Sequence, residues 1–223
     1  MARLTRSSAK LASALQIPTP PPTAPPSAPK PVNAPTSPQT LHFTDSTTFE
    51  TWLESNHSNT FSGIWLKISK KASGIPSVTY DEAVCAALCY GWIDGQRKAL
   101  DATHFAQRFT PRRKGSIWSK RNVDRVAELE EAGRMRDAGR KEVEAAREDG
   151  RWERAYSGSR SIEVTPEFQA ALDENAEARK FFETLSKSQR YAFLFRIATA
   201  KRADTRERKI RQFVELLAQN QTL

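Results

Sequence analysis

Apolar and polar positions fall into regular periods only after residue 40. Leu41–Phe43 reads as a short apolar strand, and Thr47-Thr48-Phe49-Glu50 has the form of a capping box opening a helix through Glu54. The run Gly63-Ile64-Trp65-Leu66-Lys67-Ile68 is rich in β-formers and predicts a buried strand, followed by a turn at Ser73-Gly74-Ile75-Pro76. A second capping box, Thr79-x-x-Glu82, starts a helix carrying Ala83, Val84, Ala87 and Leu88, which Gly91 ends. Trp92–Ala99 and Phe105–Thr110 are extended runs separated by a short loop at 100–104, the shape of a β-hairpin. The order strand, helix, strand, helix, strand, strand predicts a mixed α+β unit with a small sheet.

From Ser119 onward the period becomes helical. Val123, Val126 and Leu129 recur at helical spacing up to Gly133, and a charged helix runs from Asp137 to Gly150. Their many charges of both signs suit solvated faces with i,i+4 pairs. Thr165-Pro166 starts a further helix, Ser186-x-x-Gln189 caps another, and Asp204-x-x-Glu207 caps the last. On that last helix Ile210, Phe213, Val214 and Leu217 share a face. The expected division is therefore a tail at 1–40, an α+β domain at 41–157 and a C-terminal helical module at 158–223.

Composition changes the picture mainly at the amino terminus. The chain has 223 residues, with 35 Lys+Arg against 26 Asp+Glu and a formal charge of +9. Residues 1–40 hold ten of the thirteen prolines, four basic side chains and no acid, so part of the basicity belongs to the tail. Its Pro/Ser/Ala-rich stretch predicts a disordered linker. In the first seventeen residues Leu4, Ser8, Leu11 and Leu15 would line one helical face among Arg3, Arg6 and Lys10, as in a transit peptide. A solvated basic tail, or one with a nuclear role, is the plainer reading. Cytoplasmic localisation is expected, with nucleus and mitochondrion as the alternatives. The two cysteines, Cys85 and Cys89, lie one helical turn apart, which excludes a disulfide framework. No run is long and apolar enough for membrane insertion.

No phosphate-binding glycine loop, nucleophile elbow or zinc-protease motif occurs, and neither a metal nor a cofactor is implied. Two stretches stand out instead. Between Asp101 and Asp124 there is no acid, while Arg108, Arg112, Arg113, Lys114, Lys120 and Arg121 are interleaved with Phe105, Phe109 and Trp118. Such a strip suits phosphate, carboxylate or planar ligands, or else it is a hairpin strand with solvated arginines. In Gly91-Trp92-Ile93-Asp94-Gly95-Gln96, strand alternation places Trp92, Asp94 and Gln96 on one face, with Arg108 as the expected partner of Asp94.

These residues carry a resemblance. The segment from Tyr80-Asp81-Glu82-Ala83 through Ala87-Leu88-Cys89-Tyr90-Gly91-Trp92-Ile93-Asp94-Gly95-Gln96 is similar to the YdeI/OmpD-associated, or bacteriocin-protection, family. So are Gln107-Arg108-Phe109-Thr110-Pro111-Arg112-Arg113 and Ser116-Ile117-Trp118-Ser119-x-x-Asn122. Ala132-Gly133-Arg134-Met135, Asp149-Gly150-Arg151-Trp152, Ala200-Lys201-Arg202 and Thr205-Arg206 extend it through the helical module. The resemblance implies tolerance of bacteriocins or antimicrobial peptides and association with an outer-membrane porin, with no established catalytic residues.

Together these features suggest a non-catalytic protein that binds an anionic or planar small molecule, or a peptide. Trp92 and Trp118 would wall the pocket, Arg108 and Arg112 hold the anion, and Asp94, Gln96 and Asn122 complete it. Two alternatives compete with it. One is nucleic-acid binding along the 108–121 strip. The other is an enzyme with Asp94 as acid/base. Oligomeric state is not legible.

Overall fold

A computed structural model of the chain describes residues 38–223, which lie within one compact unit. The expectations for the first 37 residues lie outside the described residues.

The first half forms as the periodicity indicates. Strand β1 (Thr40–His42) is followed by α1 (Ser46–Asn56), β2 (Ile64–Ser69), α2 (Tyr80–Cys89) and the hairpin β3 (Trp92–Ala99) and β4 (His104–Pro111). The sheet order is β1-β2-β4-β3, with β1 parallel to β2 and the other pairs antiparallel. One face is apolar. Leu41, Ile64, Leu66, Ile68, Phe105 and Phe109 turn toward α1 and α2, where Phe49, Leu53, Val84, Leu88 and Trp92 complete a core. Phe49 packs on Phe109 at 5.9 Å between ring centroids, and Trp52 meets Trp92 edge-on at 6.0 Å.

Capping follows the sequence at α2, where the Thr79 and Glu82 side chains each bond the other's backbone N–H. It departs at α1. There Asp45, two residues before Thr47, accepts from the Thr48 N–H at 2.8 Å, because a carboxylate is the stronger cap. Beyond its C-cap at Tyr90, α2 turns through Gly91, whose φ of 72° few side chains tolerate.

Helices α3 (Lys120–Glu131) and α4 (Asp137–Glu148) add Val126, Leu129, Val143 and Ala146 to the same core. Their charges pair mainly with other elements rather than at i,i+4. Arg125 and Arg121 meet Asp81, Arg134 meets Glu50, and Arg147 meets Glu130 at 3.1 Å. Gly139 lets α4 approach α2 closely, since a Cβ there would stand 2.7 Å from the Leu88 carbonyl oxygen.

Helices α5 (Pro166–Asp173), α6 (Ala176–Thr184), α7 (Lys187–Ala198) and α8 (Ala203–Ala218) surround a second core of Phe168, Phe182, Phe193, Ile197, Ile210, Phe213 and Leu217. Ser186 and Gln189 form the expected box on α7. Asn175 caps α6, a start that the apolar pattern alone does not mark. On α8 the N-cap is Arg202, without a side-chain cap, and Asp204 sits in the first turn paired to it at 3.2 Å. The protein is thus α+β with a helical C-terminal part. Among the described residues, no helix is long and apolar enough to cross a membrane.

Candidate functional site: a basic cleft between the two cores

The hairpin does not keep strict alternation. Asp94 pairs with Phe109 and Arg97 with Gln107, so three steps on β3 oppose two on β4. The extra residue breaks the expected Trp92, Asp94, Gln96 face: Arg97, not Gln96, returns to the side of Asp94. Buried Gln107 satisfies the bulge by donating its amide N–H to the carbonyls of Gly95 at 2.8 Å and Gln96 at 3.2 Å. Gln96 itself is exposed.

Asp94 and Arg108 are on opposite faces and do not pair. Asp94 accepts instead from the Tyr80 hydroxyl at 2.7 Å, and burial followed by that carboxylate pushes the Tyr80 pKa up to about 12. Arg108 lies over the Trp65 ring, and its Nη2 donates to the Ser62 carbonyl. Trp92 is 1 % exposed and donates its indole N–H to the His57 carbonyl at 3.2 Å, which makes it a core residue rather than a wall.

Arg112 and Trp118 meet at the other end of the hairpin, and Asn122 is on α3. All three are buried. The Arg112 guanidinium stacks 3.3 Å from the Trp118 ring centroid, and Trp118 meets Trp152 edge-on at 4.9 Å. Arg112 Nη1 donates weakly to the Ile117 carbonyl at 3.4 Å, while Nε and Nη2 have no partner among the described residues. Loss of water around this charge pushes its pKa down to about 10, with Glu142 and Asp94 opposing the fall. Asn122 occupies the first turn of α3 behind the Ser119 cap.

Ile117 and Tyr156 lead from this buried arginine to a cleft of about 310 Å³. Tyr156 holds the two parts of the protein together. Its backbone bridges Ser119, its ring meets Phe195 of α7 edge-on at 4.9 Å, and burial raises its hydroxyl pKa. The α+β side supplies Ile117, Arg151, Arg154 and Tyr156; the helical side supplies Ile162, Glu163, Thr199, Lys201 and Arg206. Arg151 is neutralised by Asp149 at 2.7 Å. Among the described residues, Arg154 bonds only a backbone carbonyl, and Arg206 Nε is buried without an acceptor. Arg154, Lys201 and Arg206 therefore face Glu163 with a surplus of positive charge.

Of the residues expected from sequence, Arg112 backs this cleft beneath Ile117, with Trp118 stacked on it, whereas Trp92, Gln96 and Arg108 lie elsewhere. Arg151, Lys201 and Arg206 lie in segments that carry the resemblance, but their separation along the chain hides their convergence. Cys89 is in the core, where burial pushes its thiol up to about 11; Cys85 is half-buried and shifted the same way.

Comparison with known proteins finds two family models that match separate parts of the chain. Residues 161–220 match the family described as bacteriocin-protection, YdeI or OmpD-associated. The helical module is similar to that family over those residues. Residues 41–142 match a domain of unknown function, DUF8412, so the hairpin motifs that first suggested the resemblance fall under a separate description. No curated protein and no solved structure matches the chain. The C-terminal matched region contributes Lys201, Arg206 and Glu163 to the cleft, while Arg151, Arg154 and Tyr156 lie in the segment joining the two matched regions.

Proposed function

We propose that this protein is a non-catalytic binding protein that takes up a small anion bearing a phosphate or carboxylate in the cleft between its two cores. The observation that carries this reading is Arg206, a residue lining the cleft beside Arg154 and Lys201, whose Nε is buried with no acceptor among the described residues. A buried guanidinium N–H without a partner is costly, and a bound anion would supply the missing acceptor. Arg112, unpaired behind Ile117, adds to the field. Tolerance of bacteriocins or related stress is the physiological output suggested by the family description of the helical module.

Thermal shift of the full chain with phosphate, nucleoside monophosphates and dicarboxylates tests this directly. A ligand at 100 times its Kd stabilises by about 2.7 kcal/mol. One anion class should raise the Tm of wild type, and Arg206→Gln should lose the rise. No shift from any of them, or an equal shift in Arg206→Gln, would refute the assignment.

A further inference from the structure

The second face of the sheet gives no side chain to the core, yet all four strands contribute to it. Two rows cross it. One runs Thr40, Trp65 and Arg108, with Gly95 against the Arg108 stem. The other runs His42, Lys67, Ala106 and Lys98. Neither row contains an acid. Ala106 leaves room for Lys98 to reach across the sheet, and its Nζ stands 4.2 Å from the Trp65 ring centroid. The Arg108 guanidinium lies 5.7 Å from the same centroid and keeps one Nη without a partner among the described residues. Phe61, 81 % exposed, precedes Ser62, to which Arg108 is tied.

We infer that this sheet face binds single-stranded nucleic acid. A half-exposed tryptophan between two cations matches a base flanked by phosphates, and every base offers a planar face to stack. Lys98 is exposed, so its ammonium is free to leave the ring for a phosphate when a base takes its place. A duplex keeps its base faces covered, and an acidic protein segment would leave Trp65 and Phe61 without planar partners. None of these residues belongs to the cleft.

The test is fluorescence anisotropy of the full chain with a labelled oligouridine and with polyglutamate of equal charge. The oligonucleotide should bind, and the polyglutamate should bind at least tenfold more weakly. Three neutralised phosphates would cost roughly twentyfold in affinity when salt rises from about 50 to 200 mM. Trp65→Ala should weaken binding roughly tenfold, as expected for one lost stack. Lys67→Glu combined with Lys98→Glu, which keeps the tryptophan, should weaken it further and flatten the salt dependence. Absence of oligonucleotide binding, equal binding of polyglutamate, or unchanged affinity in the charge-reversed protein would overturn the inference.

Discussion

Replacing Arg112 by methionine separates a structural role for this buried charge from a ligand-directed one. Methionine keeps an unbranched stem against Trp118 and removes the guanidinium. With its pKa pushed down to about 10, the arginine stays charged at neutral pH at a cost on the order of 3 kcal/mol. Its stack on Trp118 returns roughly 2 kcal/mol, and the long bond to the Ile117 carbonyl returns less than about 1 kcal/mol. These terms nearly cancel. Arg112→Met should therefore lie within about 1 kcal/mol of wild type, a Tm change of no more than about 4 °C for a chain this size. Removing one partner of a buried ion pair would instead cost about 3–5 kcal/mol. The pH dependence has a fixed sign. Because the folded state holds this proton less tightly than the unfolded chain, the cost is complete at neutral pH and is relieved as pH rises through about 10. Wild type should gain on Arg112→Met above that point. Calorimetric melting of both proteins, with and without the anion that shifts wild type, reads every term. A drop of ten degrees or more, or a ligand shift fully retained in the variant, would refute the reasoning.

Three further outcomes are expected. Gly139→Ala drives a methyl into the Leu88 and Cys89 carbonyls and should cost about 2 kcal/mol or more, seen as a lower urea midpoint; an unchanged midpoint would mean the helices separate freely. Asp101 accepts from the Thr103 hydroxyl and from the backbone N–H groups of Thr103 and His104, which hold its carboxyl well below the usual range. Its contribution is present above the ordinary carboxylate pKa and lost as pH falls below it. The Tm advantage of wild type over Asp101→Asn should thus be seen near pH 6 and vanish in strong acid. Cys89, buried with its thiol pushed up to about 11, should resist a thiol reagent at neutral pH until the protein unfolds; rapid labelling of both cysteines in the native state would contradict its placement.

What the sequence revealed was mostly local. The Thr79–Glu82 and Ser186–Gln189 boxes are decided within four residues, and both form. The hairpin is legible because alternation and a short loop suffice to specify it. The bulge is not, because it depends on how Gln107, on the partner strand, satisfies the carbonyls of Gly95 and Gln96. Missing it puts Asp94 and Arg108 on one face and predicts a pair that does not exist. The acid-free strip from Arg108 to Arg121 is a true feature of the chain, but folding sends Arg108 to the second sheet face and Arg112 into the interior. The cleft was hidden for a related reason. Tyr156 gathers Arg154, Lys201 and Arg206 from segments about fifty residues apart, and no periodicity records such a meeting.

The same bulge bears on how the protein behaves in company. A four-stranded sheet has two outer strands, and each offers unpaired N–H and carbonyl groups to a passing chain. Here one outer strand, β1, is only three residues long. The other, β3, is bent by its extra residue and carries exposed Arg97 and Lys98 where a flat hydrogen-bonding rail would otherwise run. Neither border gives a neighbouring molecule a straight, uncharged template. The residue that turns Arg108 away from Asp94 therefore also helps keep crowded copies of this protein from joining sheet to sheet.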